Sequence, residues 1–263
     1  MTARYDTIGT RYDTTRHADP FIVERLARRL AIRPGGAYLD VACGSGNYTS
    51  CLARAGGEIT GVDISRRMIE HARAKTSEAR WILATADALP FGAAQFDGAL
   101  CTLAIHHFPD MTAAFAEIRR VIARGRFVLF TASREQMRGY WLNHYFPKAM
   151  DFAIRQMPDL PDVMNALSLA GFVDIEREAY AVTPDLQDLF LYAGKHRPAL
   201  YLDPQVRAGI STFAMTSNID EMTTGLRRLA NDIETDAINS VRQAFDHDLG
   251  DYLFITAEAR PAN

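Results

Sequence analysis

The chain has 263 residues, enough for one α/β domain carrying an insertion or lid and too few for two domains of full size. It is 48% hydrophobic and 23% charged, which excludes a disordered or fibrous protein. A formal net charge of -3 gives no overall positive field to gather a phosphate backbone, so nucleic acid is a disfavoured partner. The basic residues between Arg25 and Arg33 alternate with Leu26, Ala27, Leu30 and Ile32, the pattern of a solvated helix face. Cys43, Cys51 and Cys101 form no CxxC pair and point to a reducing compartment. No apolar run approaches the roughly 18 residues of a spanning helix, and MTARYDTIGTRYD lacks the apolar centre of a signal sequence. The expected location is the cytoplasm, with no membrane partner.

Strand and helix signals alternate through the first half. The pattern predicts a helix over 20–31, a strand over 37–42, a helix over 47–55 ended by Gly56 and Gly57, and a strand over 58–62. A helix over 65–75 follows, with Ser65 placed to cap it, then strands over 81–85 and 96–103, a helix over 111–122 and a fifth strand over 126–131. Five strands with intervening helices predict a doubly wound sheet. After Thr131 the alternation breaks. The stretch 134–157 is rich in aromatics and ends at Pro158 and Pro161, as a lid would. A helix over 162–170, a sixth strand over 172–182, a second helical stretch over 184–250 and a seventh strand over 251–257 complete the chain. The expected organisation is a single domain over 1–263, with 133–161 and 184–249 as inserted lid segments.

The chemistry concentrates in YLDVACGSGNYT, residues 38–49, where an apolar strand ends in a glycine-bearing turn and enters a helix. In open α/β sheets ligands bind outside the carboxyl ends of the strands, and glycine lets backbone approach a ligand closely. Gly44 and Gly46 fit that role, although a tight strand-to-helix turn needs glycine whether or not anything binds. Asp63 ends the second strand roughly 20 residues beyond the glycine turn, where a carboxylate can accept from both hydroxyls of a ribose. Asp87, in ATADALPF after the third strand, can accept from an adenine amino group while Ala88 offers its backbone N–H. Either aspartate alone has an equally good reading as a helix cap or turn residue. Thr49 stands where a dinucleotide fingerprint wants a third glycine or alanine, which disfavours NAD, and no lysine followed by serine or threonine completes a P-loop.

Together these motifs resemble the class I S-adenosylmethionine-dependent methyltransferases, in particular the small-molecule type 11 group that includes quinone C-methyltransferases. LDVACGSGNYT is similar to the family's glycine motif, GVDIS with Met68 to its ribose and adenine motif, ADALPF to its adenine-edge motif, and FDGALCTLAIHHFPD to its fourth-strand motif; the match spans roughly residues 5–131. The resemblance implies a Rossmann-like, mostly parallel seven-stranded sheet whose seventh strand is antiparallel, with S-adenosylmethionine as cofactor and no metal. It implies further that Asp40, Ala42, Gly44 and Gly46 line the methionine part, Asp63 holds the ribose, Ile64 and Met68 flank adenine, Asp87 and Ala88 meet its edge, and Thr102 and Leu103 run beside the sulfonium. Tyr12 and Arg16 are expected to fold over the cofactor. Two departures stand out: Ala42 replaces a glycine usual in the family, tolerable if its backbone angles are ordinary, and IARGRF replaces a proline-diglycine turn.

A sulfonium methyl is already activated, so the protein must hold an acceptor in line and, where needed, take up a proton. His106 and His107 follow the fourth strand and are the candidate bases, or they only shape the pocket. Tyr140, Trp141, His144 and Tyr145, with Phe146, Phe190, Tyr192, Tyr201 and Phe213, are candidates to roof an apolar acceptor site, or they form the inserts' own core. The expected function is methyl transfer to oxygen, nitrogen or carbon of a small, aromatic or partly apolar metabolite. The alternatives are a nucleic-acid methyltransferase, for which neither a basic stripe nor an Asn-Pro-Pro-Tyr type motif is present, and a non-catalytic binder of the same nucleotide.

Overall fold

The computed structural model describes residues 14–215 and 218–260. Asp19 caps the first helix, α1 (Pro20–Leu30), its side chain accepting from the backbone N–H of Phe21 and Ile22; Pro20 is preset for a first helical turn, and Ile22, Leu26 and Leu30 form the buried stripe. Then follow β1 (Ala37–Val41), α2 (Asn47–Arg54), β2 (Glu58–Asp63), α3 (Arg66–Lys75), β3 (Arg80–Leu83), β4 (Phe96–Thr102), α4 (Met111–Val121) and β5 (Ile122–Thr131). Ser65 caps α3 as its position predicts, accepting from Met68 N–H. After β5 come α5 (Arg134–Arg138), α6 (Leu142–Tyr145), α7 (Pro147–Gln156), α8 (Leu160–Leu169) and β6 (Phe172–Tyr180). The second insert holds α9 (Pro204–Ala208), α10 (Ser211–Ala214), α11 (Ile219–Glu234) and α12 (Ile238–Ala244), and β7 (Tyr252–Ala259) closes the sheet.

The seven strands lie in the order β3-β2-β1-β4-β5-β7-β6. β7 runs antiparallel to both β5 and β6, while the remaining pairings are parallel, so the sheet is the mixed, mostly parallel one that the resemblance implies. The strand order reverses between β1 and β4, which opens a crevice at the carboxyl ends of those strands.

β5 begins four residues earlier than the apolar pattern predicts. Ile122 already pairs with Phe96, the register shifts before Gly98 pairs with Arg126, and Gly125 takes up the irregularity at φ 140°. A Cβ at Gly125 would lie 1.8 Å from the Asp97 carbonyl oxygen, so glycine is required there by backbone packing. This end of β5 is opposite the crevice, so the altered turn lies away from it.

Alternate side chains of the central strands feed two cores. Phe127 and Leu129 join Leu39, Val41 and Ile255 on the face covered by α4 and α8. Val128 and Phe130 join Tyr38 and Phe254 on the face covered by α1, and that core continues without a break into the inserts through Tyr140, Trp141, Tyr145, Phe146 and Tyr201. All five of these aromatic residues are at most 2% exposed. The inserts therefore share a core with the sheet. Trp141→Ala is expected to destabilise the fold by about 3–5 kcal/mol through the cavity it leaves. Urea unfolding followed by circular dichroism measures it, and a loss below about 1 kcal/mol would show that the insert core contributes little.

Candidate functional site

The glycine turn between β1 and α2 is held from several sides. Cys43 N–H donates to Val62 O and Gly46 N–H to Cys43 O, each at 3.0 Å. Lys75, at the end of α3, reaches back to donate to Ser45 O, Ser45 Oγ and Asn47 Oδ1 at 2.6–3.0 Å. The two motif glycines have different tasks. Gly44, at φ 55°, lines a cavity, and a Cβ built there would meet nothing within 4 Å, so this is backbone exposed to a ligand. Gly46, at φ 77°, is not at the cavity wall. A Cβ there would sit 2.2 Å from the Trp81 ring, so packing against β3 requires glycine at this position whether or not its backbone also meets the methionine part. Ala42 lines the cavity at φ 58°, so the ordinary backbone angles expected of it are not found. A left-handed alanine costs about 1–2 kcal/mol, which gives a physical reason for glycine at this position in similar sequences.

Asp63, at the end of β2, lies on the cavity wall and is 9% exposed. One carboxylate oxygen accepts from Gly44 N–H at 2.9 Å and the other from Ser65 N–H at 2.8 Å, so a single side chain ties the glycine turn to the cap of α3. Ile64, 56% exposed, and the buried Met68 line the same region. Asp87 lines it too, whereas Ala88 does not, its N–H being turned toward Thr85 O at 3.4 Å. The loop bearing Asp87 is supported from α4: Glu117 accepts from Leu89 N–H, and Arg120 donates to Leu89 O and Phe91 O. Thr102 and Leu103 continue the wall from β4; Leu103 is left-handed at φ 54° and its N–H donates to Phe130 O at 2.7 Å.

Asp40 stands one layer behind. It is 2% exposed, is not on the cavity wall, and accepts from Thr49 Oγ1 at 2.6 Å, while its Oδ1 is buried with no hydrogen-bond partner among the described residues. Burial pushes its carboxyl up to about 7; the Thr49 hydrogen bond works against that, and the nearby Asp63 charge adds to it. Asp40, expected to line the methionine part, thus lies beneath the glycine turn, behind the wall that Ala42 and Gly44 form.

The cavity, about 500 Å³, runs from the strand ends to a second region beneath the inserts. His106 and His107, on a single 3-10 turn after β4, line it with ring centroids 3.9 Å apart. Met137, Tyr140, Met157, Phe190, Ile210 and Tyr252 line the same cavity. Tyr140 donates its hydroxyl to Asp251 O, and the Tyr252 hydroxyl accepts from Tyr192 N–H. Both phenols are thereby engaged in the fold, and what they offer the cavity is mainly ring surface.

Trp141, His144 and Tyr145 are not on the cavity wall. The Trp141 indole N–H donates to Lys195 O at 3.2 Å, and the Tyr145 hydroxyl donates to Asp232 at 2.8 Å. His144 sits against Arg228, its pKa lowered by burial and then by that guanidinium. Their surroundings fit the second of the two readings, the inserts' own core: α6 is one turn long and lies against α11, where Gly225 lets Tyr145 O approach, so these side chains serve the junction of the two inserts. Tyr12 lies outside the described residues. Arg16 lines the cavity and pairs with Asp188, a residue of the second insert that no local pattern singles out. Lys75 and Tyr252 were likewise invisible as site residues, since their partners are distant in sequence.

A glycine turn, an acidic residue closing β2 and a long crevice at the reversal of strand order define a nucleotide-binding α/β enzyme of the Rossmann-like kind. Residues 39–130 match the model of the methyltransferase domain family. A solved structure from Anabaena variabilis ATCC 29413, assigned as a methyltransferase of an antibiotic biosynthesis pathway, superposes with a TM-score of 0.83 at 31% identity, covering 92% of this chain and 98% of that one. The malonyl-[acyl-carrier protein] O-methyltransferase of Salmonella typhimurium is 27% identical over 168 residues, 59% of this chain and 67% of that protein. The demethylmenaquinone methyltransferase of Beutenbergia cavernae is 26% identical over 187 residues, 63% of this chain and 78% of the relative. The chain belongs to the class I S-adenosylmethionine-dependent methyltransferases, and S-adenosylmethionine is its cofactor. The residues present fit that group: the open face of Gly44, the Asp63 carboxylate and the Ile64–Met68 pair share one wall of the cavity. Among the described residues no helix is long and apolar enough to cross a membrane, and no cluster of metal-ligating side chains is found.

The Asp40 carboxyl has a pH consequence. Its folded pKa lies above the ordinary 3.8, so the folded state holds a proton that the unfolded chain has released between about pH 4 and 7. The stability it contributes is full below that window and is lost as pH rises through it. In the ligand-free protein, Asp40→Asn is expected to remove this part of the pH dependence and to be the more stable form above about pH 7. Urea unfolding across the window checks it; parallel curves for both proteins would show that Asp40 is not raised.

Proposed function

We propose that the protein methylates an oxygen, nitrogen or carbon of a small, aromatic or partly apolar metabolite. The observation that carries this reading is the wall of the cavity beneath the inserts. Among the described residues Arg16 is the one lysine or arginine anywhere on the cavity, and it is paired with Asp188. Tyr140, Phe190, Tyr252, Met137 and Met157 contribute ring and thioether surface, and the wall as a whole is more apolar than polar. Such a wall suits an apolar ligand oriented by few polar groups and does not suit a phosphate backbone. The relatives' names, a malonyl-carrier O-methyltransferase and a demethylmenaquinone methyltransferase, differ in acceptor and support the reaction class more than any one substrate.

When bound, the cofactor supplies a methyl group already activated on sulfur. The protein's own contributions can be assigned residue by residue. Asp63, which accepts from the Gly44 and Ser65 N–H groups, holds its carboxylate where the ribose hydroxyls can donate to it. Ile64 and Met68 flank the adenine, Asp87 accepts from its edge, and Thr102 and Leu103 lie beside the methionine chain. Packing against Tyr140, Phe190 and Tyr252 orients the acceptor and excludes water. His106 or His107 takes the proton where the acceptor carries one.

Incubation with methyl-labelled cofactor and a panel of phenols, amines, quinones and RNA is expected to label a small aromatic compound; label on RNA alone would overturn the reading, and label nowhere would favour a non-catalytic binder. With the acceptor in hand, replacing the active histidine by alanine is expected to lower kcat by about 10²–10⁴ with the cofactor affinity kept. Asp63→Ala is expected to weaken S-adenosylhomocysteine binding by about 1.5–3 kcal/mol in calorimetry. An unchanged affinity in the folded variant would place the ribose elsewhere.

A further inference from the structure

The contact between Arg16 and Asp188 joins the segment before α1 to the loop that opens the second insert. Arg16 Nε donates to Asp188 Oδ1 at 2.5 Å and Nη2 to Oδ2 at 3.2 Å, a two-point pairing that fixes the plane of the guanidinium. The Asp188 side chain is 2% exposed and that of Arg16 14%. The Tyr48 hydroxyl, from the first turn of α2, donates to Asp188 Oδ2 at 3.1 Å; burial first, and the Asp188 charge second, push its pKa well up and keep it a donor. Asn47, immediately after the glycine turn, donates its amide to Arg16 O at 2.7 Å. The same two segments are stitched again by Leu189 N–H to Thr15 O and by Gln187 N–H to Asp19 Oδ2.

A buried carboxylate is unfavourable unless paired, and a lone arginine at a cavity wall samples many rotamers. Here each answers the other, and α2 supplies the third member. The Asn47 hydrogen bond places the Arg16 backbone beside the glycine turn. Asp188 engages the Nε–Nη2 edge of the fork. The carboxylate of the methionine portion is the one anionic group of the cofactor, and Arg16 is the one lysine or arginine on the cavity wall among the described residues.

We propose that Asp188 is a positioning residue for the cofactor: it grips Arg16 so that the guanidinium faces the methionine carboxylate at the glycine turn. The second insert, which also walls the acceptor region, thereby sets cofactor affinity. This rests on the methyltransferase reading and on Arg16 as a cofactor residue. It also gives tasks to Asn47 and Tyr48, the residues that open α2.

Calorimetry with two ligands tests it: S-adenosylhomocysteine, and 5′-methylthioadenosine, which lacks the amino-acid end. Asp188→Asn is expected to weaken the first about ten-fold or more and the second by less than about two-fold. Arg16→Ala should show the same pattern, and the double variant should bind no more than about two-fold worse than Arg16→Ala alone. Equal loss for both ligands, or losses that multiply in the double variant, would overturn the proposal. If Arg16→Ala weakens S-adenosylhomocysteine and a folded Asp188→Asn does not, the proposal fails while Arg16 stands. If Arg16→Ala has no effect but Asp63→Ala does, Arg16 is misassigned and the proposal falls with it, while the cofactor reading survives. Absence of binding to wild-type protein would instead remove the cofactor reading itself. Should Asp188→Asn not fold, Tyr48→Phe and Asp188→Glu decide: a selective loss for S-adenosylhomocysteine supports the proposal, and an unchanged ratio of the two affinities in both overturns it.

Discussion

Where the winding of the sheet reverses, between β1 and β4, the helices that follow the two strands leave on opposite faces and their first turns part. The gap exposes backbone at the ends of β1, β2 and β4, and exposed backbone polar groups must find partners. Asp63 meets that demand on one side by accepting from Gly44 and Ser65 N–H at once. Lys75 meets it on the other by donating to Ser45 and Asn47. A crevice with its walls fixed in this way is preorganised: its acceptors and its open glycine face are in place before any ligand arrives.

The inserts are held to this frame by a buried polar core as much as by an apolar one. Asp251, fully buried at the start of β7, accepts from Val182 N–H and pairs with Lys195 from the second insert, while its carbonyl takes the Tyr140 hydroxyl from the first. Tyr140 and Tyr192 stack at 3.9 Å and 7°, and Glu221 of α11 accepts from the N–H groups of Lys148 and Ala149 at the start of α7. Breaking one member of such a network strands the others without solvent, so the two inserts are bound to each other through directional contacts as well as through packing. This geometry divides the aromatic residues by side: Tyr140 and Tyr252 turn ring surface to the cavity, whereas Trp141 and Tyr145 fill the junction behind it.

That division marks the limit of what the amino-acid order discloses. The alternation of apolar runs and helical stripes located the strands and most helices because period and end signals are local, as with Ser65 at the cap of α3. The start of β5 escaped because the chain continues as strand through Gly125, a choice made by the Asp97 carbonyl across the sheet. Asp63 and Asp87 were legible because their places follow strand ends. Asp188 was not, since its meaning comes from Arg16 and Tyr48, 172 and 140 residues away. An aromatic-rich stretch likewise reads the same whether its rings face a ligand or one another. Gly46 is a motif position at which the ring of Trp81, far along the chain, also demands glycine.

Two residues at the heart of the site keep backbone angles that side chains resist. Ala42 and Leu103, at φ 58° and 54°, end the neighbouring strands β1 and β4 on either side of the crevice. Each left-handed residue costs about 1–2 kcal/mol, and such strain persists only where surrounding structure over-determines it. For Leu103 the restraint is visible: its N–H is fixed to Phe130 O at 2.7 Å, carrying the β4–β5 pairing one step beyond the strand. For Ala42 it is the next residue, whose N–H is fixed to Val62 O of β2. The sheet itself thus imposes the turns that bend both chains away from the crevice. The same ladder of hydrogen bonds that builds the core clears the space in which the cofactor and acceptor must meet.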